Sequence, residues 1–209
     1  MWGSPWQSGT MTLAQVRQIL SQAAGLATVD SIYFEGGEPF LYYGLLLRAV
    51  QMASQMGFQV GIVSNAYWAT SVEDAIECLK PLAGLIQDLS ISSDEYHWSE
   101  ALSQRARNAR AAADQLGIPI GLISIARPQT TSARAAVGQL PESESAVMYR
   151  GRAADKLAAQ AARQPWTQFA ECPHEDLREP GRVHVDPFGN LHICQGISLG
   201  NLFQSSLAD

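Results

Sequence analysis

Three groups of residues in this chain could carry chemistry. The first is Gly36-Gly37-Glu38-Pro39, which ends the β-branched and aromatic run "SIYF" and precedes a leucine-rich stretch. Glycine lets a ligand approach the backbone and accepts positive φ, while Pro39 holds Glu38 extended and suits the opening of a helix. Such a turn can aim amides and carbonyls at a small polar ligand, or it can be no more than a tight strand-to-helix connection. The second group follows later apolar runs: Ser64-Asn65, Ser92-Ser93-Asp94, Arg127, and Arg150 with Arg152. The third is Cys172, His174, His192 and Cys194, a Cys2His2 set with the N/S chemistry of tetrahedral zinc, or else thiols that hold no metal.

The elements that must position these residues alternate. "MTLAQVRQILSQAAGL" places Leu13, Val16, Ile19, Leu20 and Ala23 at helical spacing behind Thr12 as N-cap. Strand "SIYFEGG", helix "LYYGLLLRAVQMASQMG" closed by Gly57, and strand "QVGIVSNA" come next. Then come a helix opened by Ser71 and Asp74 as a capping box, strand "IQDLSISSD", a long helix ended by Gly117, and strand "IPIGLISIAR". "AVMYRGRA" predicts one more short strand. Parallel strands need helical crossovers, so this alternation predicts an α/β fold, either an open doubly wound sheet or a full or partial (βα) barrel. Both gather ligand groups at the C-terminal ends of the strands, which is where the polar residues fall.

Composition narrows the partners. The chain has 209 residues, 46% of them hydrophobic, with a net charge of −6, and no cluster of Lys and Arg that could neutralise phosphates, so nucleic acid is not expected. The apolar stretches are interrupted by charge and too short to span a bilayer, and the first ten residues lack the pattern of a signal peptide. Three cysteines suit a reducing compartment, and a cytoplasmic location is expected. Cys78 falls at helical spacing and reads as a core thiol. His97, in "SSDEYHWSE", has the neutral-range chemistry of an acid, a base or a substrate contact, though an exposed loop histidine has the same sequence appearance. Arg150 and Arg152 could fork onto a carboxylate or phosphate, or pair at the surface.

From about residue 165 the chain becomes rich in turns. "RVHVDPFGNLHIC" predicts a β-hairpin around residues 186–190, on which His192 and Cys194 face one side. Cys172 and His174 share that spacing if extended.

The motif "YFEGGEPFLYY" followed by alternating strands and helices resembles the radical S-adenosylmethionine (radical SAM) superfamily, in which a Gly-Gly-Glu-Pro motif ends the second barrel strand. The resemblance implies that the backbone at Gly36, Gly37 and Glu38, with Pro39 behind it, meets the amino group of S-adenosylmethionine (SAM). It places Ser92 and Asp94 toward the ribose and Ser64 and Asn65 along the same pocket; Ser92 to Asp94 would otherwise cap the helix that follows. The superfamily holds a [4Fe-4S] cluster on CxxxCxxC. That motif is missing here, which implies either a fragment or a relative without the cluster, and a chain not competent alone. Gly189 and Cys194, the downstream "SLGNLF" and the upstream Cys172 are similar to the SPASM or twitch extensions of these enzymes, whose cysteines hold auxiliary iron–sulfur clusters.

The expectations are therefore an α/β partial (βα) barrel of parallel strands over residues 1–154, lacking its first strand. Residues 155–209 follow as a linker helix and an incomplete hairpin subdomain with Cys172 and Cys194 as auxiliary-cluster ligands. In the zinc alternative His174 and His192 join them. The resemblance implies reductive cleavage of SAM to a 5′-deoxyadenosyl radical, hydrogen abstraction from a peptide or protein substrate, and an external electron donor. Two other readings stand beside it: a non-catalytic α/β binding protein with a zinc-stabilised tail, and a barrel enzyme using Glu35 or Glu38 as general base.

Overall fold

The computed structural model describes residues 9–92, 100–125, 144, 145, 147, 149, 152–161, 163, 165–169, 176–193 and 197–209. Its contacts divide the chain into two compact units, one of Leu20–Ile125 and one joining Met1–Ile19 to Ala126–Asp209. The boundary falls inside the first helix, α1 (Leu13–Ala24). Thr12 and Gln15 open α1 with a reciprocal capping box: Thr12 Oγ1 accepts from the Gln15 amide at 3.3 Å, and Gln15 Oε1 accepts from the Thr12 amide at 2.8 Å.

The Leu20–Ile125 unit is built from β1 (Ser31–Phe34), α2 (Tyr43–Gln55), β2 (Gln59–Ser64), α3 (Val72–Leu79), β3 (Asp88–Ser92), α4 (Glu100–Leu116) and β4 (Ile120–Ile125). These four strands lie in their chain order, and every neighbouring pair is parallel. A doubly wound sheet reverses its order at a switch point; this run of strands does not. Right-handed crossovers between strands in sequential order send the intervening helices to one face. That face is the core, where Val60, Ile62, Leu89 and Ile91 are buried.

The opposite face is different. Tyr33, Gly61 and Asp88 are register partners on successive strands. The ring of Tyr33 lies over Gly61 so closely that a Cβ there would overlap it. Burial, and after it the carboxylate of Asp88 through its charge and a hydrogen bond, pushes the Tyr33 phenol above its ordinary pKa. Asp88 also accepts from Ser90 Oγ at 2.8 Å.

The helix ends follow from local chemistry. Ser71 Oγ accepts from the Asp74 amide at 3.0 Å, as the predicted cap requires, while the Asp74 carboxylate turns to the Thr70 hydroxyl. Gly57 and Gly117 stop α2 and α4 in the left-handed region, at φ of 91° and 65°. Residues 146, 148, 150 and 151 of the predicted strand "AVMYRGRA" lie outside the described residues; just before it is the two-residue β5 (Glu144–Ser145), and its last two residues open the short helix α5 (Arg152–Leu157).

The other unit contains the predicted hairpin, β6 (His184–Val185) against β7 (Asn190–His192), and extends it with β8 (Ser198–Asn201) into a three-stranded antiparallel sheet. The Gln18 side chain of α1 donates to the Leu202 carbonyl at 3.2 Å within this unit. Among the described residues, no helix is long and apolar enough to cross a membrane.

Candidate functional site

The C-terminal ends of β1 and β2 lead into two turns that are bonded to each other. Gly36 and Gly37 are exposed, and nothing approaches within 4 Å of where a Cβ would stand on either. Gly36 has φ of 150°, while Gly37 lies outside the region that L side chains avoid.

Glu38 turns the other way. It is 7% exposed, and its carboxylate accepts from three donors: the Phe40 amide at 3.0 Å and Ser64 Oγ at 2.9 Å on Oε1, and the Asn65 amide at 2.7 Å on Oε2. The first of these caps the 3-10 turn Pro39–Tyr42 that leads into α2. Burial pushes the Glu38 carboxyl above the ordinary range; the three donors pull it down without cancelling that effect.

Ser64 is equally committed. Its hydroxyl donates to Glu38 and accepts from the Ala66 amide at 3.1 Å and from Trp68 Nε1 at 2.9 Å. Asn65 Oδ1 accepts from the Tyr67 amide at 2.9 Å, closing an Asx turn. Between them Ala66 is held at φ of 58°, unusual for a residue with a Cβ. Such strain persists only where neighbours over-determine it. They do so here: Phe40 stacks on Trp68 with centroids 4.3 Å apart and planes at 19°, and Asn108 of α4 donates to the carbonyls of Ala69 and Thr70 at 3.0 and 3.2 Å.

The structure thus brings Gly36 to Pro39 together with Ser64 and Asn65, but the Glu38 carboxylate and the Ser64 hydroxyl face each other. What these turns offer a ligand is the backbone of Gly36 and Gly37 and the side-chain nitrogen Nδ2 of Asn65, which has no hydrogen-bond partner among the described residues. Ser92 ends β3, two strands from Gly36. Asp94, His97, Arg127 and Arg150 lie outside the described residues, and Arg152 opens α5. Cys78 is half-buried on α3; burial and then the charges of Asp74 and Glu77 raise its thiol. The Trp68 contact to Ser64 was not anticipated, although their separation of four residues in "SNAYWA" is its trace.

In the hairpin unit, Asp186 is 2% exposed and accepts from the Phe188 amide, the Asn190 amide and Asn190 Nδ2, each at 2.9 Å. Burial is the largest single influence on its carboxyl and raises it, but the hydrogen bonds from Asn190 and Phe188, with the His192 imidazole beside it, together bring it below the ordinary range. His192 is 6% exposed; its Nε2 is 3.5 Å from Asp186 Oδ2, too far for a good hydrogen bond, and neither ring nitrogen has a hydrogen-bond partner among the described residues. Cys172, His174 and Cys194 lie outside the described residues. Among those described, no group of three or more His, Cys, Asp or Glu side chains could hold a metal ion.

No family model matches the chain. Over 106 residues it is 29% identical to a Bacillus subtilis (strain 168) protein described as "Putative peptide biosynthesis protein YydG", an alignment covering 50% of this chain and 33% of that protein. The chain therefore spans about a third of the length of that relative, and its similarity to a protein of peptide biosynthesis is distant.

Proposed function

We propose that this chain is the SAM-binding part of a radical SAM enzyme that modifies a peptide or protein. The observation that carries the reading is the contrast within Gly36-Gly37-Glu38: two exposed glycines with open space beside them, next to a carboxylate turned inward. Neither crowding nor a left-handed φ accounts for glycine at position 37, whereas a ligand lying against the backbone does. A parallel sheet in sequential order fits a partial (βα) barrel over residues 1–154, and the antiparallel hairpin fits a SPASM- or twitch-like extension over residues 155–209. The relative's name supports a peptide as substrate.

In this reading SAM supplies the adenosyl group. The chain's own residues bind and orient it, with the amino acid end against Gly36 and Gly37, Asn65 along the pocket, and Ser92 and Asp94 toward the ribose. The 209 residues do not fit the radical-generating cluster: they contain no CxxxCxxC, and Cys78 lies on a helix. The reading requires those cysteines, and the electron donor, to come from outside this sequence. Titration calorimetry of the full chain with SAM tests it. Binding by the wild type, weakened about tenfold or more in Gly37→Ala with unchanged melting temperature, is expected; a wild type that does not bind SAM overturns it.

His192 favours a second reading for the tail. Buried imidazoles ordinarily have hydrogen-bond partners, His192 has none among the described residues, and a carboxylate behind one nitrogen is the usual setting of a metal-bound histidine. In it Cys172, His174, His192 and Cys194 hold zinc in a non-catalytic binding protein; auxiliary iron–sulfur ligation by Cys172 and Cys194 is the counterpart within the first reading. Metal analysis separates them: about one zinc per chain, lost in His192→Ala, supports zinc, and iron with brown colour after anaerobic reconstitution supports a cluster.

A further inference from the structure

We infer that Glu38 is a positioning residue, an internal strut that holds the Gly36-Gly37 turn and the Ser64-Asn65 turn at a fixed separation without itself touching the ligand. The inference rests on the SAM-binding reading for its functional consequence, but its structural content stands on geometry alone.

Among the described residues, the carboxylate is the one charged side chain that bonds both turns directly. Oε1 accepts from Phe40 in its own turn and from Ser64 across the gap, and Oε2 accepts from the Asn65 backbone. Hydrogen bonds to a charged acceptor are about twice as strong as neutral ones, and each of these is buried or partly buried. A glutamine cannot replace it: whichever way the amide points, one of the oxygens now meeting donors becomes an NH2, and two donors face each other. The contacts around it are consistent with one rigid assembly. The Phe40 ring stacks on Trp68, the Tyr67 hydroxyl reaches the Phe40 carbonyl at 3.4 Å, and Trp68 Nε1 ties back to Ser64. Ala66, at a strained φ, is the residue such an assembly would have to hold in place.

A strut between two ligand-facing turns makes an uneven demand on the ligand. If Gly36-Gly37 meets the amino acid end of SAM and the other turn lines the remaining pocket, loosening the strut misplaces the first contact relative to the second. SAM, which would span both, loses affinity. 5′-Methylthioadenosine, which lacks the amino acid end, does not. General damage to the fold would weaken both.

The test compares the full chain with its Glu38→Gln and Ser64→Ala variants, measuring SAM and 5′-methylthioadenosine affinity by calorimetry and amide hydrogen exchange at Phe40 and Asn65 by NMR. Expected for Glu38→Gln are a SAM affinity about tenfold lower, 5′-methylthioadenosine affinity within about twofold of wild type, and faster exchange at Asn65. Ser64→Ala removes one leg of the strut, leaves the carboxylate in place, and should move the same quantities less; it carries the test if Glu38→Gln does not fold. Unchanged Asn65 exchange in the folded variant overturns the strut, as does an equal loss for both ligands. A wild type that binds no SAM sinks the functional reading instead, and the exchange measurement still decides whether the strut exists.

Discussion

Tyr33 and Gly61 are register partners on neighbouring parallel strands, and the tyrosine ring occupies the space where any side chain at position 61 would begin. Gly61 is therefore glycine because of its neighbour, since its own φ requires nothing unusual. Gly61→Ala should destabilise the protein by about 1–3 kcal/mol, the usual cost of overpacking. In the Tyr33→Ala background the same substitution should cost far less. Urea denaturation of the four proteins of this double-mutant cycle measures the coupling, and additive effects would contradict the contact.

Trp68→Phe keeps an aromatic ring against Phe40 but deletes the donor to Ser64 Oγ. Because Ser64 retains the Ala66 amide as a donor, the loss should be about 1 kcal/mol in denaturant stability, the scale of one net hydrogen bond. Trp68→Ala, which removes the stack as well, should cost about 3–5 kcal/mol.

The Glu38 carboxyl titrates above its ordinary value of 4.5 in the folded chain, chiefly through burial. A group that holds its proton more tightly when folded contributes stability that is fully present below its unfolded pKa and is lost as pH rises through the folded one. The stability of wild type relative to Glu38→Gln should therefore fall as pH is raised from about 4 through that raised value and then level off. Denaturation midpoints across this range give the slope; a relative stability that rises with pH would mean the three donors outweigh burial.

Asn201 ties the hairpin turn to β8. Its Nδ2 donates to the Phe188 carbonyl at 2.8 Å and to Asn190 Oδ1 at 3.0 Å, and its Oδ1 accepts from the Phe203 amide at 2.9 Å. Asn201→Ala should speed amide exchange at Asn190 and Phe203 and cost about 1–3 kcal/mol locally, with little effect on exchange in β1 to β4. Exchange that stays slow at both positions would show the turn to be self-sufficient.

Much of this was readable from the residues. The alternation of runs, Ser71 and Thr12 as caps, and Gly57 and Gly117 as stops are local chemistry, and the structure follows them. Local chemistry does not say which way a side chain turns. Glu38, between a flexible pair and a proline, could have faced a ligand or the protein; it faces the protein because Ser64 and Asn65, about 26 residues away, supply the donors. β8 was hidden for a similar reason. "SLGN" has no β-branched residue and contains a glycine, so only its pairing with β7 makes it a strand. The burial of His192 beside Asp186 depends on packing that period-two alternation cannot express.

Gly189, at φ of 85°, lies beneath the ring of Phe203, and its carbonyl accepts from the Leu202 amide at 2.8 Å. With Asn201, this means that the turn between β6 and β7 is finished by residues that follow it by more than ten positions. A two-stranded ribbon of β6 and β7 alone would therefore be unlatched: its turn is seated only when the chain returns through residues 201–203.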